Sequence, residues 1–455
     1  MAVVARVFGD EVCKRVEAAA YYSPYLDGVA ARVRDLAKTC DLGFWFLTDQ
    51  HVKSNHRQSG IVCADLIGRT GLTRVLCGGD LPEAFGKGYP TDKAAVDFAI
   101  ETFGELWVKP IRAAGGRLFC AKGNHDFTVR HSMDKADPVV GFTYAGTDAK
   151  RFIVDTWTEP GIVTNPADPT ACYYYQDDAQ AKIRILVVDT SDTERAGDTA
   201  WGVVYGVHDT QLAWLAGQAL ATVPAGYDVV VMHHIPVTGI VGSAGDCKTF
   251  ANLRGLLESY QSRGRWTVGT QTFDFSNATG RILLDLTGHE HAERQTFQNG
   301  ILHVTEPCDA AYSDYIVGSA PWCENLPRKQ KGTIFEQTFD AIQFARDRSL
   351  VYFTRVGGGQ HRAIHLTART VKVGETVKFE PSQFKGPFSF ACYNGDCVTF
   401  KPNPQNRWNP LVAYGTDFAD ISAEGVLTAR KTGPVMVLAM DADRNKEIFP
   451  VTVVD

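Results

Sequence analysis

The sequence predicts an α/β region followed by a small all-β domain. From residue 40 to about residue 290, short apolar runs alternate with helical stretches, and a polar cluster follows each run. This alternation favours a largely parallel or mixed β-sheet that is covered on both faces. After about residue 330, short alternating runs separated by Gly, Asn and Asp turns replace the helical spacing, which is typical of a β-sandwich.

Six apolar runs predict the strands of the α/β region. They are "LGFWFLTDQH" (42–51), "TRVLCGGD" (73–80), "RLFCAKGNHD" (117–126), "IRILVVDTS" (183–191), "YDVVVMHH" (227–234) and "RILLDLTGHEH" (281–291). Helical apolar spacing follows Thr91-Asp92 and covers residues 208–222 and 249–261. Each polar cluster stands at the C-terminal end of its run, which is where open α/β sheets bind their ligands.

Changes in this pattern divide the chain into three predicted segments. Residues 1–40 look mainly helical and are expected to pack on the larger domain, which covers residues 41–368. Near the end of that domain, "QTFDAIQFARDRSLVYFTRVGGGQHRAIHL" predicts paired strands with a turn near Arg346-Asp347. The all-β domain is expected over residues 369–455.

Composition places the chain among globular proteins and excludes two classes. Its 455 residues are 44% hydrophobic and carry a formal net charge of -6, so a general nucleic-acid binder is not expected. No run of about 18 apolar residues predicts a membrane span. The N-terminal stretch has no signal-peptide pattern, which predicts a cytoplasmic location, with an extracellular or virion-associated one as the alternative.

The eleven cysteines are scattered along the chain and odd in number. This predicts small buried thiols in a reducing compartment and no disulfide framework. Cys392 and Cys397, in "ACYNGDC", are spaced so that a disulfide between them would close a hairpin loop.

Five strand ends carry side chains that bind metal ions. They are Asp49 and His51 in "DQH", Asp80 in "GGD", Asn124 in "GNHD", His233 in "MHH", and His289 and His291 in "GHEH". Each cluster alone is explained by turn chemistry or by a structural histidine. Their joint occurrence favours a two-metal centre, since two divalent ions about 3.5–4 Å apart need a bridging carboxylate and further ligands on each side. Mixed oxygen and nitrogen donors favour Mn, Fe, Zn or Co over calcium.

The series DxH, GD, GNHD, H and GHxH, in this order, resembles the calcineurin-like metallophosphoesterase superfamily over residues 41–368. The resemblance implies two packed mixed β-sheets flanked by helices, with a two-metal centre at the strand ends. It implies that Asp49, His51 and His291 hold one metal, that Asn124, His233 and His289 hold the other, and that Asp80 bridges them. Between His233 and His234 the family pattern favours the first. His125 would lie near the leaving group, with Asp126 orienting it.

The resulting hypothesis is two-metal hydrolysis of a phosphate ester by a metal-bridging hydroxide, with His125 assisting the leaving group. A phosphodiester is slightly favoured over a monoester, because no arginine cluster singles out a dianion. Alternatives are a phosphomonoesterase, a virion- or surface-associated binding protein with a phosphoesterase-like domain, and another two-metal hydrolase such as an amide hydrolase. The purple acid phosphatase branch has a Tyr ligand where this chain has Glu83, so an iron–tyrosinate centre is not expected.

Two further expectations concern partners. The tail "DISAEGVLTARKTGPVMVLAMDAD" resembles a bacterial immunoglobulin-like domain of group 2, which implies an accessory module that contacts another protein or a cell-surface glycan. The catalytic domain would take a small phosphorylated substrate or a phosphate-containing polymer. Aromatic residues in its long insertions would either stack on a nucleobase or sugar or pack the loops. These residues are Tyr173, Tyr174, Tyr175, Trp201, Trp266 and Trp322.

Overall fold

The computed structural model describes residues 20–51, 58–82, 84–85, 89–130, 140–192, 206–238, 248–291, 293–309, 332–394, 399–401, 411–413 and 416–455. The helices in these ranges are α1 (Ser23–Leu36), α2 (Ser59–Thr70), α3 (Asp92–Phe103), α4 (Lys109–Ala113), α5 (Gly146–Lys150), α6 (Asp209–Trp214) and α7 (Lys248–Gln261). Short 3-10 turns cover Ala20–Tyr22 and Arg346–Arg348, and π-helical turns cover Gly104–Val108, Arg151–Trp157 and Leu215–Leu220. None of the helices in the described ranges is long and apolar enough to cross a bilayer.

The strands fall into two groups along the chain. Those before residue 310 are β1 (Leu42–Leu47), β2 (Arg74–Cys77), β3 (Ala84–Phe85), β4 (Arg117–Cys120), β5 (Thr128–Arg130), β6 (Val140–Thr143), β7 (Val163–Thr164), β8 (Tyr174–Asp178), β9 (Ile183–Val187), β10 (Asp228–Met232), β11 (Arg265–Val268), β12 (Gln271–Asp274), β13 (Ile282–Thr287), β14 (Arg294–Gln298) and β15 (Ile301–Thr305). Those after it are β16 (Thr338–Ala345), β17 (Leu350–Gly357), β18 (Arg362–His365), β19 (Arg369–Lys372), β20 (Thr376–Lys378), β21 (Ser389–Asn394), β22 (Thr399–Lys401), β23 (Leu411–Ala413), β24 (Ala419–Ile421), β25 (Val426–Ala429), β26 (Gly433–Met440) and β27 (Lys446–Val454).

Two large mixed sheets form the centre of the described structure. The first has the order β21-β26-β27-β18-β17-β16-β1-β2-β4, with β19 paired to β27, and the second has the order β14-β15-β13-β10-β9-β8-β7. Strands β1, β2 and β4 are parallel to one another, and so are β9, β10 and β13. Within each parallel set the C-terminal ends therefore lie at one edge of the sheet, where the polar clusters begin.

Strand β10 shows how the sheets pack. Val230 and Met232 belong to the hydrophobic core between the sheets, which also contains Phe46 of β1. Val229 and Val231 belong instead to the core on the other face, which α6 and α7 cover. Because successive side chains of a strand point to opposite faces, this sheet is buried on both sides. The predicted fold of two packed mixed sheets flanked by helices is confirmed.

Local signals placed several elements correctly. Thr91 is the N-cap of α3 and its hydroxyl accepts a hydrogen bond from the Ala94 amide at 3.2 Å. Helix α6 follows His208, and α7 covers the stretch predicted as helical near residues 249–261. A 3-10 turn over Arg346–Arg348 joins β16 to β17 where the sequence predicts a turn. Residues 1–19 of the predicted N-terminal segment lie outside the described residues, whereas α1 lies within it.

The C-terminal strands contribute to more than one sheet. Strands β20, β25 and β24 make a small sheet over their own apolar core, but β21, β26 and β27 belong to the first large sheet. Strand β27 pairs in parallel with β18, with Lys446 opposite Arg362. The boundary near residue 369 stays a prediction, but strands from both sides of it share one sheet. Cys392 is a free thiol, and Cys397 lies outside the described residues.

Candidate metal centre

The loops after the strand ends are hydrogen-bonded to one another. The Asp49 amide donates to the Gly79 carbonyl at 2.9 Å, and the His51 amide donates to the Asp80 carbonyl at 3.1 Å. Across the two sheets, the His289 amide donates to the Asp49 carboxylate, 3.0 Å from Oδ2. These bonds bring the ends of β1, β2 and β13 together at one place.

Five predicted ligands have a left-handed backbone conformation. The φ angles are 54° at Asp49, 40° at His51, 54° at Asp80, 68° at His289 and 53° at His291. Such a conformation costs a residue other than glycine about 1–3 kcal/mol, and it persists where surrounding contacts determine it. This conformation turns each side chain away from the direction it would have in a strand. Residues two positions apart, such as Asp49 and His51, can then point toward the same place.

One group of converging side chains consists of Asp49, His51, Asp80 and His291. His291 Nε2 lies 3.0 Å from Asp49 Oδ1 and 3.0 Å from His51 Nε2. His51 Nε2 lies 3.7 Å from Asp49 Oδ1 and 3.8 Å from Asp80 Oδ2. Two imidazole nitrogens and two carboxylate oxygens thus face one small volume.

A second group consists of Asp80, His234 and His289. Asp80 Oδ2 lies 3.2 Å from His234 Nε2, and His289 Nδ1 lies 2.8 Å from the side-chain oxygen of Asn124. The other Asp80 oxygen, Oδ1, accepts a hydrogen bond from the His125 amide at 2.8 Å. That bond leaves Oδ2 facing the histidines of both groups, which is the placement a bridging carboxylate needs.

The donor atoms fit two borderline divalent ions. Each group combines imidazole nitrogen with carboxylate oxygen, and Asp80 is common to both. His234 Nε2 is buried and, among the described residues, has no hydrogen-bond partner of good geometry. A cation between this nitrogen and the Asp80 carboxylate would satisfy both groups.

The structure places His234, and not His233, beside the other predicted ligands. The His233 side chain lies elsewhere, with Nε2 2.8 Å from Asp285 Oδ1 and Nδ1 2.9 Å from the Ile235 carbonyl. Asp285 also contacts His303, with Oδ2 2.7 Å from His303 Nδ1. His233 is therefore part of a buried His–Asp–His cluster, and His234 takes its place in the proposed ligand set.

The pKa values reflect the crowding of charges at the centre. Burial opposes ionisation of Asp80, but the imidazoles of His234 and His125 more than offset it and hold the pKa of Asp80 well below its usual range. Burial likewise opposes protonation of His234, but Asp80 and Asp49 raise its pKa to about 9. Burial, together with His234, lowers the pKa of His289 to about 3. Asp80 as an anion and His289 as a neutral imidazole are in the forms that bind metal, whereas His234 would release a proton on binding one.

His125 reaches the centre from its more exposed side. Its side chain is 11% exposed, whereas the His234 side chain is fully buried. Its Nε2 lies 3.8 Å from Asp80 Oδ2, and its ring centroid lies 5.5 Å from that of His51. Of these two histidines, His125 is therefore the more accessible from solvent, and its place near a leaving group stays a prediction.

The predicted role of Asp126 is corrected. Its Oδ1 accepts the Leu81 amide at 2.6 Å and its Oδ2 accepts the Gly123 amide at 2.7 Å, so the carboxylate joins two ligand loops and does not orient the His125 ring. Burial, with Asp80 nearby, raises the pKa of Asp126 to about 7.

Two glycines allow the loops to approach this closely. A Cβ atom on Gly123 would lie 2.1 Å from the Asp80 nitrogen, and one on Gly288 would lie 2.3 Å from Asp49 Oδ2. Neither position has room for a side chain. Turn chemistry in "GNHD" and "GHEH" therefore serves the convergence of ligands.

Sequence reasoning missed Cys308. Its Sγ lies with the ligand nitrogens of His51 and His291 in a third group of potential ligands, and it donates a weak hydrogen bond to the Asp49 carbonyl at 3.2 Å. Cys308 follows β15, which is parallel to β13, so it too stands beyond the C-terminal end of a buried strand. A position beyond the C-terminal end of a buried strand identified the other clusters, and the same criterion would have identified Cys308.

The aromatic residues of the insertions mostly pack the fold. Tyr173 and Tyr174 are fully buried. Tyr175 lies against Trp214, with ring centroids 5.8 Å apart, and Trp266 lies 6.3 Å from Phe273 by the same measure. The other residues of interest, Trp201, Trp322 and Glu83, lie outside the described residues.

Comparisons with known proteins give structural similarities only. The sequence matches no family model and no curated protein. A dimetal phosphatase from Danio rerio is similar over 72% of this chain and 100% of its own, with 14% identity and a TM-score of 0.48. A 5'-nucleotidase precursor from Thermus thermophilus is similar over 71% of this chain and 53% of its own, with 12% identity and a TM-score of 0.34. A predicted phosphoesterase from Streptococcus pneumoniae covers 70% of this chain and 95% of its own, with 11% identity and a TM-score of 0.25. At these values none of them assigns the chain to a family.

Proposed function

We propose that this chain hydrolyses a phosphate ester at a centre of two divalent metal ions. The observation that carries the proposal is the pair of buried ligand groups that share Asp80. Asp49, His51 and His291 would hold one ion, and Asn124, His234 and His289 would hold the other, with Asp80 between them. Two such ions supply an activated water and neutralise the charge of the phosphate.

The chain's own residues would do the remaining work. The cross-bonded loops hold the ligands before substrate arrives, so that little reorganisation is needed during reaction. His125, at the more exposed side of the centre, would donate a proton to the departing alkoxide. Asp126 supports this arrangement indirectly, since it ties the backbone at Leu81 to that at Gly123.

A phosphodiester suits the charge of the centre better than a monoester. Among the described residues of the loops that carry the ligands, the one cationic side chain is Lys122, and its Nζ lies 2.6 Å from Asp189 Oδ2. Asp189 is buried, so this pair is held in place and its charges offset each other. The described part of these loops therefore offers little additional positive charge to a doubly charged monoester, whereas a diester carries one negative charge.

The test uses purified protein stripped of metal and reloaded with Mn²⁺, Zn²⁺ or Co²⁺. Substrates are a chromogenic diester and the matched monoester, followed by cyclic nucleotides, glycerophosphodiesters and pyrophosphates. We expect about two ions per chain and faster turnover of the diester. Asp80→Asn should lose both metal binding and turnover, while Asp65→Asn, a partly exposed aspartate on α2, serves as a control. A protein that binds no metal, or an Asp80→Asn variant with full turnover, would refute the proposal and favour a binding protein.

A further inference from the structure

Six buried charged side chains form a network that begins two residues after His291. The network consists of Arg355, Arg362, Lys446, Glu293, Glu306 and Asp340, and each is less than one tenth exposed. It contains three basic side chains and three carboxyl groups, and burial raises the pKa of one of these, Glu306, well above its usual range. Buried charged groups of this kind tolerate burial only as long as each keeps its partners.

Arg355 and Arg362 connect the three carboxylates. Arg355 Nη2 donates to Glu293 Oε2 at 2.8 Å and to Glu306 Oε2 at 3.2 Å, while its Nε donates to Asp340 Oδ1 at 2.9 Å. Arg362 Nη2 donates to Glu306 Oε1 and to Asp340 Oδ2, both at 2.6 Å. Side-chain hydrogen bonds thus link strands β16, β17 and β18 of the first sheet to the segments that flank β14 and β15 of the second.

Lys446, the first residue of the last strand, completes the network. Its Nζ donates to Glu293 Oε1 at 2.8 Å, so that both oxygens of this carboxylate are bound. Lys446 lies on β27, which belongs to the predicted C-terminal β-domain. Glu293 lies two residues beyond His291 in the sequence, and both His289 and His291 have a left-handed backbone conformation.

A second contact from the same domain reaches this segment. The Tyr393 hydroxyl donates to the Gln295 carbonyl at 3.0 Å and accepts from the Gln295 side-chain amide at 3.3 Å. Tyr393 lies on β21 and is 2% exposed. Two separate strands of the C-terminal region therefore bind the stretch that immediately follows the histidines.

We propose that the C-terminal β-region is a structural part of the metal centre, with Lys446 as a positioning residue that acts on His289 and His291 through Glu293. This inference rests on the proposed function, because it assumes that the two histidines bind metal. A left-handed turn of two histidines needs external contacts to hold it, and the Glu293 carboxylate supplies one at the end of that turn. This proposal gives the C-terminal β-region a structural role, in place of the contact with a partner that its resemblance implies.

The decisive variant is Lys446→Met, which keeps the aliphatic stem and removes the ammonium group. Its matched control is Lys372→Met, on the same domain, because Lys372 is exposed on β19. We expect Lys446→Met to weaken the binding of one of two Zn²⁺ or Mn²⁺ ions by about tenfold, the lower end of what residues behind metal ligands contribute. Lys446→Arg should restore most of that affinity, and Lys372→Met should match the unaltered protein.

The readouts are the metal dissociation constants, from competition with a chromophoric chelator, and the thermal midpoint of the metal-free protein. A purely structural role would lower the thermal midpoint of Lys446→Met and leave both constants unchanged, which would overturn the inference. Should Lys446→Met fail to fold, Tyr393→Phe removes only the hydroxyl, and unchanged metal constants in that variant would overturn it equally. If the unaltered chain binds no metal, the proposed function fails and this inference with it. If the unaltered chain binds two ions, an unchanged Lys446→Met refutes the inference alone.

Discussion

His233 and His234 are adjacent in the chain but have different partners, so their alanine variants should behave in opposite ways. His234 Nε2 lies 3.2 Å from the proposed bridging carboxylate of Asp80. His234→Ala should therefore weaken the binding of one ion by at least about 100-fold, since even groups that only contact a ligand contribute about 10- to 100-fold. The second ion should stay bound.

His233→Ala should keep both ions and lose stability. Asp285 is 1% exposed and is held by His233 at 2.8 Å and by His303 at 2.7 Å. Removing a polar partner of a buried group costs about 1–3 kcal/mol, and more when that group is charged, as the Asp285 carboxylate is. Because the group is charged but His303 remains, we expect a loss of about 3 kcal/mol in the free energy of unfolding.

Both variants are measured in the same two assays. Elemental analysis and chelator competition give the number of bound ions and their dissociation constants, and urea unfolding with excess chelator gives the free energy of unfolding of the metal-free protein. The reasoning would be refuted if His233→Ala lost an ion while His234→Ala kept both. It would fail equally if His233→Ala unfolded at the same urea concentration as the unaltered chain.

Three further predictions use other features of the site and its supports. Gly288→Ala should abolish tight binding of both ions, because its Cβ would lie 2.3 Å from Asp49 Oδ2, whereas Gly68→Ala, with no atom within 4 Å of the added carbon, should be neutral in the same titration. Cys308→Ser should shift metal preference from Zn²⁺ toward Mn²⁺ in competition experiments, because a soft sulfur beside the centre favours zinc. Burial lowers the pKa of His361 from 6.5 to about 4. Between these pH values the unfolded chain binds a proton that the folded chain does not. The free energy of unfolding should therefore decrease by at most about 3 kcal/mol as the pH is lowered from 6.5 to 4. His361→Asn should lack this pH dependence in urea unfolding with chelator present.

Each of these has a contrary outcome. Tight binding of two ions by Gly288→Ala would mean that the loop at Asp49 can move aside without loss. Equal zinc preference in Cys308→Ser would place the thiol outside the coordination of either ion. A stability that stays level from pH 6.5 to 4, or one that falls equally in His361→Asn, would show that other groups dominate acid unfolding.

The positions of the strand ends could be predicted from the sequence, but the choice between neighbouring histidines could not. Side chains alternate along β10, with Met232 facing the core between the sheets and Val231 facing α6 and α7. Continued alternation places His234 on the inner face and His233 on the outer one, beside Asp285. The sequence displays this alternation, but which face meets the other sheet depends on tertiary packing. The family pattern favoured His233, whereas the structure groups His234 with Asp80 and His289.

The C-terminal region shows a different limit. Its alternating runs predicted strands correctly, because that pattern is local. The pairing of β27 with β18 and the contact between Lys446 and Glu293 join residues more than 80 and 150 positions apart, respectively. No local pattern reports such pairings, so the sequence could not indicate that strands from both sides of residue 369 share one sheet.

The strain at the centre and the cross-bonding of its loops belong together. Five left-handed ligands at about 1 kcal/mol each would cost the fold several kcal/mol, which is a large share of the stability of a typical domain. The metal ions alone need not offset this conformational free energy. The backbone hydrogen bonds from Asp49 to Gly79 and from His51 to Asp80 stabilise the turns without them. A centre held in this way is preorganised, so binding energy is available for the ions and is not consumed in folding the loops. The His289 amide is hydrogen-bonded to Asp49. Two residues after His291 in the sequence, Glu293 is bound by the buried side chains of Lys446 and Arg355. Removing the ammonium group of Lys446 should therefore destabilise the loop of His289 and His291 more than the loops at Asp49 and Asp80. For this reason we expect Lys446→Met to weaken the binding of one metal ion more than that of the other.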